Sequence, residues 1–139
     1  MPFRRQEAFE PALVQTLKSL ACQQQVFRVP LTGFDCFPPR VLFVKVGNQE
    51  AITELYNRLQ KVLKEDLGFR QHEQGFRFHP HMTIATRDLS EGSFLRAWPE
   101  FAKRTFDDGF VVKSLFLLKH NEKKWQLFRE FPFQGVPAA

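Results

Sequence analysis

Residues 78–87 read Phe-His-Pro-His-Met-Thr-Ile-Ala-Thr-Arg and hold the most chemically capable grouping in this 139-residue chain. His81 and Thr83 stand two residues apart in a stretch that reads as a β-strand, and alternation along a strand sends both to one face. Imidazole titrates near neutral pH, so such a group gives or takes a proton under physiological conditions. A hydroxyl beside it can hydrogen-bond a phosphate oxygen. The pairing therefore suits phosphoester chemistry. The triplet is short, and a structural histidine beside a strand-favouring threonine produces the same letters. The flanks add weight. His79 precedes Pro80, the apolar Met82 and Ile84 fall on the opposite face, and Arg87 follows. The inner face, with His79, His81 and Thr83, is unusually polar for a core strand.

The same histidines raise the question of a metal. His79 and His81 could share an ion, with His72 or Glu73 as a third ligand. No acidic or cysteine cluster accompanies them, and two histidines at this spacing make a poor site alone, so no metal is expected. Among the basic residues, Arg4, Arg5, Arg40, Arg77 and Arg87 are candidates to line an anionic cleft. Arg77 and Arg87 flank the motif and are preferred as substrate contacts, together with His79. Phe76 or Phe78 could stack on a base. Taken singly, each arginine is better explained as solvated surface charge.

The elements that must position these groups follow from periodicity and turn residues. Pro11, with Leu13, Leu17 and Leu20 at helical spacing, marks a helix from Glu10 to Gln23. A strand is expected over Val26 to Phe34, with Pro30 demoting it to an edge or a bulge. Cys36-Phe37-Pro38-Pro39 reads as a turn, and Arg40 to Val46 as a buried strand. Asn48 can cap a second helix, whose stripe is Ile52, Leu55, Tyr56, Leu59, Val62 and Leu63, stopped at Gly68. Residues 69–78 are polar and irregular. Ser90 caps a third helix carrying Phe94, Leu95, Trp98 and Phe101, bent or interrupted near Pro99. A hairpin closes the chain, with strands Phe110 to Lys119 and Lys124 to Phe133 around His120–Lys123. Trp98 and Trp125 read as core. The order α-β-β-α-β-α-β-β, with short turns between strands, argues an α+β fold with largely antiparallel sheet.

Composition fits one globular domain over 1–139. Hydrophobic residues make up 43% and seventeen are Phe, which gives an aromatic core. The net charge of +5 favours an anionic partner such as RNA, a nucleotide or a phosphorylated metabolite, although 15 acids interleave the 20 bases. Cys22 and Cys36 lack ligand spacing and read as reduced thiols of a cytoplasmic protein. The N-terminus lacks a signal peptide's apolar core, and no apolar run approaches the roughly 20 residues that span a bilayer, so no membrane role is expected.

Phe78-His79-Pro80-His81-Met82-Thr83-Ile84-Ala85 resembles the second signature of the two-histidine phosphoesterases, the 2′-5′ RNA ligase-like and cyclic phosphodiesterase superfamily. The segments 27–34 and 40–44 resemble its central hairpin, and 112–118 with 125–133 its C-terminal hairpin. The resemblance covers essentially the whole chain. It implies two HxT motifs facing each other across a cleft between largely antiparallel sheets. One histidine acts as general base, the other as general acid, and the two hydroxyls hold the phosphate. On that pattern His81 donates or accepts the proton and Thr83 binds phosphate. No metal or other cofactor is required. The implied substrate is a 2′,3′-cyclic phosphate or a 2′-5′ phosphodiester of RNA or a nucleotide.

The sequence departs from that pattern in carrying one HxT. His72, His79 and His120 are followed two residues later by Gln74, His81 and Glu122. In relatives a Pro-Phe pair and a helix closely follow the first motif, as Pro2-Phe3 and the first helix do here. The expectation is therefore a fold lacking its N-terminal strand-helix-strand, which takes roughly 30 or more residues. Three explanations compete: a chain start internal to a longer protein, a remnant with half a site, or a second chain that completes the site in a homodimer through an open sheet edge. The first two are preferred. Each predicts weak or absent activity for an isolated monomer. The alternative function is a non-catalytic domain that binds nucleotides or RNA ends through the same face.

Overall fold

The computed structural model describes residues 2–70 and 77–137. Its elements run α1 (Glu10–Cys22), β1 (Phe27–Phe37), β2 (Val41–Val46), α2 (Glu50–Glu65), β3 (His81–Ala85), α3 (Glu91–Lys103), β4 (Asp107–Val112), β5 (Ser114–His120) and β6 (Trp125–Pro132). The order is the expected one with a strand added near the end. The chain forms two compact units. One comprises residues 1–27, 53–78 and 111–139, the other 28–52 and 79–110. Among the described residues no helix is long and apolar enough to cross a membrane.

The first unit is a helical layer on a two-stranded sheet. Leu13, Leu17 and Ala21 of α1 are buried with Leu55 and Leu63 of α2 and with Phe69, Phe131 and Phe133. The α1 stripe meets β5 and β6, and Phe27 stacks on Phe133 at 6.4 Å. Helix α2 starts where Asn48 Oδ1 accepts the amide of Glu50 at 2.9 Å. It ends at Gly68, whose φ of 65° lets the amides of Gly68 and Phe69 fold back onto the carbonyls of Lys64 and Leu63. Strands β5 and β6 pair antiparallel from Ser114↔Pro132 to His120↔Trp125. Their outer face leaves Phe116, Leu118, Trp125 and Leu127 exposed. Trp125 is therefore no core residue. It sits at the hairpin tip, edge-on to His120 at 5.0 Å.

The second unit holds most of a four-stranded sheet of order β3-β2-β1-β4, with α3 against β2. Pairs β1–β2 and β2–β3 are antiparallel. Two expectations are corrected here and one is narrowed. The strand expected over Phe110 to Lys119 is two strands in different sheets, broken at Lys113, because β4 pairs with β1 and β5 with β6. Of the two alternatives expected at Pro30, the edge fails because β1 is an inner strand, and a bulge is found just after it. The register shifts between Leu31 and Phe34, around Gly33 with φ 72°. Pro99 does not end α3, which runs through it to Lys103. One missing amide in a helix packed on the sheet is tolerated, and Phe94 is buried while Phe101 meets the Phe34 ring at 5.1 Å. Ser90 caps α3 as expected, its Oγ accepting the Ser93 amide at 3.2 Å.

Candidate functional site

The candidate site lies on one face of the four-stranded sheet. Its pairings are His81↔Lys45, Met82↔Val44 and Thr83↔Phe43, and residues opposite each other in an antiparallel pair share a face. His81, Thr83, Lys45 and Phe43 therefore lie together. Asp35 and Phe37 of β1 join them, through Asp35↔Phe43 and Phe37↔Val41. The opposite face carries Phe34, Leu42 and Val44, and there Phe34 meets Phe101 and Phe106. The helix covers that side, while His81 and Thr83 on the other are exposed.

This candidate face is polar at its rim and aromatic at its floor. Phe43 is 1% exposed, although its side is not the helix side. Rings bury it: Phe37 at 4.5 Å, His81 at 5.0 Å and His79 at 5.8 Å. Phe37 in turn stands edge-on to His81 and His79, each at 5.1 Å. The two imidazoles are thus seated on a phenylalanine floor with their outer edges in solvent. Such packing limits side-chain freedom and so presets ring orientation.

One contact decides the chemistry of His81. Its Nδ1 lies 2.6 Å from the carbonyl oxygen of His79. A carbonyl only accepts, so Nδ1 carries the proton and donates it. In the neutral ring the lone pair is then on Nε2, the nitrogen free to accept a proton from a reacting group. Pro80 is buried between the two histidines and, with φ fixed by its ring, holds the carbonyl in place.

After Thr83 the strand is irregular. Thr83 pairs with Phe43 and Ala85 with Leu42, which leaves Ile84 as an extra residue. Ile84 is bulged out and 45% exposed, as is Met82 on this edge strand, so the expected apolar back face is only half covered. The chain then turns, with the Leu89 amide donating to the Thr86 carbonyl at 2.6 Å. That turn brings Arg87 and Asp88 round to line, with Thr83, an open recess of about 520 Å³ formed by residues 83–89.

The expected residues thus divide. His79, His81, Thr83 and Arg87 lie on or directly beside β3 in the second unit. Phe78 belongs to the first unit and stacks on Tyr56 with ring centroids 4.1 Å apart. Arg77 is exposed in that same unit. Arg5 lies over the Phe69 ring at 4.3 Å, and Arg40 faces Glu91 at 4.0 Å. His72, Glu73 and Phe76 fall outside the described residues. Among the described residues no group of three His, Cys, Asp or Glu is placed to hold a metal. Sequence reasoning missed Lys45. The signal was available: a single lysine interrupts the apolar run Val41–Val46.

Cys36 lies one residue from Asp35 on the helix side of the sheet. Burial raises its thiol pKa above the ordinary value, and the Asp35 charge adds to the rise. The thiol is thus less ionised near neutral pH than an unperturbed cysteine.

Comparison with known proteins gives two findings. The family model described as the 2′-5′ RNA ligase superfamily matches residues 1–124. The solved structure of TT0787 from Thermus thermophilus is similar in fold, with a TM-score of 0.59 at 21% identity, covering 95% of this chain and 74% of that one. No curated protein matches.

Proposed function

This chain belongs to the 2′-5′ RNA ligase superfamily, and from that premise we propose that its His81–Thr83 face takes a 2′,3′-cyclic phosphate or a 2′-5′ phosphodiester of RNA or of a nucleotide. The observation that carries the reading is the 2.6 Å contact from His81 Nδ1 to the His79 carbonyl, which leaves Nε2 as the proton-accepting atom. In hydrolysis of a cyclic phosphate, water attacks phosphorus while one of its protons passes to Nε2. The bond from phosphorus to a ribose oxygen breaks in line with the attack, and solvent protonates the departing oxygen. Thr83 Oγ1 donates a hydrogen bond to a non-bridging oxygen, and Arg87 in the adjoining turn supplies a positive charge. These groups carry the reaction by proton transfer and fixed hydrogen bonds.

A second reading is favoured by the single HxT in the sequence. With one histidine the same face binds a nucleotide or an RNA end without turnover. Two unpaired cysteines fit a reducing cytoplasmic setting for either role. The deciding experiment is incubation with adenosine 2′,3′-cyclic phosphate, read by phosphorus NMR. Conversion to a monophosphate that His81→Ala abolishes supports catalysis. Saturable binding without conversion supports the second reading, and neither conversion nor binding sinks both.

A further inference from the structure

Strand β2 is an inner strand of its sheet, flanked by β1 and β3. Five of its six residues are buried or half-buried, and Lys45 alone is exposed. Lysine is depleted in strands, and an inner strand is an unusual place for a lone charge. Nothing among the described residues explains it. Among the described residues the Lys45 side chain makes no ion pair and no hydrogen bond. The carboxylate that shares its face, Asp35, accepts the amide of Cys36 through Oδ1. Replacing Lys45 with a valine or threonine would suit the strand better, so the charge points to a ligand.

Its position says which ligand. Lys45 is the direct cross-strand partner of His81, and paired residues have Cβ atoms about 4.5–5.5 Å apart. The lysine stem is long and flexible and carries three donors on a compact charge. It emerges beside His81 from the same face that holds Thr83, over the Phe43 floor. Resting on the phosphoester reading of this face, we propose that Lys45 is a third phosphate-binding group of the site. It holds a non-bridging oxygen of the phosphoester, while Thr83 holds another and His81 Nε2 faces the moving proton. Charge on those oxygens grows as the attacking oxygen adds to phosphorus, so a fixed ammonium there favours the transition state over the bound substrate. The same charge makes the face select phosphorylated nucleosides over nucleosides.

The test compares the full chain with Lys45→Met, Lys45→Arg, Thr83→Ala and His81→Ala, titrated with adenosine 2′,3′-cyclic phosphate, adenosine 2′-monophosphate and adenosine. Circular dichroism and the thermal midpoint verify that each variant folds. Lys45→Met is expected to weaken both phosphorylated probes about tenfold or more, to leave adenosine unchanged and to flatten the salt dependence. Lys45→Arg restores most of the loss. If Lys45→Met binds the phosphorylated probes as the parent does while Thr83→Ala and His81→Ala weaken them, the inference about Lys45 is wrong and the phosphoester reading stands. If the parent binds neither phosphorylated probe, both are wrong.

Discussion

Nδ1 of His81 is held 2.6 Å from the backbone carbonyl of His79, so one histidine's main chain sets the tautomer of the next histidine's ring. The orienting partner is a peptide group rather than a carboxylate. It carries no net charge and cannot itself take up the proton, so it fixes orientation without a second titrating group.

The first prediction concerns that ring. His81→Ala should lower hydrolysis of a cyclic nucleotide by about 10²–10⁴-fold, the usual contribution of a positioned acid or base. Nucleotide affinity should fall far less, because Thr83, Lys45 and Arg87 remain. Initial rates and a binding titration separate the two quantities. Equal rates in variant and parent would remove His81 from the chemistry.

The floor beneath the ring gives a second. Phe43→Ala opens a cavity at a fully buried position and should cost about 3–5 kcal/mol of stability. Phe37→Ala, at a position 38% exposed, should cost less. Phe43→Leu should keep the fold while loosening the imidazoles, and so lower turnover more than stability. Denaturant unfolding beside turnover rates distinguishes these outcomes. Equal destabilisation by the two alanine variants would contradict the burial described.

Cys36 gives a third, with a definite sign. Its thiol holds the proton above the ordinary range, first through burial and then through Asp35. Its alkylation by iodoacetamide should therefore lag at neutral pH and accelerate only as pH climbs past the usual thiol value. Asp35→Asn removes the smaller cause and should speed the reaction modestly, while the amide oxygen still accepts from the Cys36 backbone. The folded state binds this proton more tightly than the unfolded one. Its contribution to stability is complete at lower pH and is lost as pH rises through the raised pKa. Mass spectrometry of the labelled cysteines across a pH series provides the check. Unchanged Cys36 labelling in Asp35→Asn would show that the carboxylate contributes nothing.

A fourth is local. Ser90→Ala removes the hydroxyl that accepts the Ser93 amide and should cost α3 about 1 kcal/mol. Ser90→Asp should retain most of that stability, and thermal unfolding of both variants reads the difference.

The sequence made the helices legible because each has a stripe and a start or stop signal: Leu13, Leu17 and Leu20 behind Pro11, the α2 stripe closed by Gly68, and the Ser90 cap. The strands were legible as segments but not as sheets. Nothing in Phe110 to Lys119 marks Lys113 as the point where one sheet is left and another begins, because strand pairing, not local sequence, decides it. Pro30 left an edge and a bulge open for the same reason, since pairing rather than propensity decides between them. The triplet His81-Met82-Thr83 was readable from period-two alternation alone. Lys45 was not, since its relation to His81 exists only once β2 and β3 are paired.

The extra residue at Ile84 has a consequence for how this strand finds its partner. Side chains alternate, so sliding β3 by one residue along β2 would turn His81 and Thr83 toward the helix and bring Met82 out in their place. A regular strand of five residues offers little to forbid that error. A strand with one irregular position can match its neighbour in only one alignment, much as a notch admits a key in one orientation. The bulge between Thr83 and Ala85 thus acts as a reading-frame mark, and the placement of the His81 imidazole depends on a residue from another part of the strand.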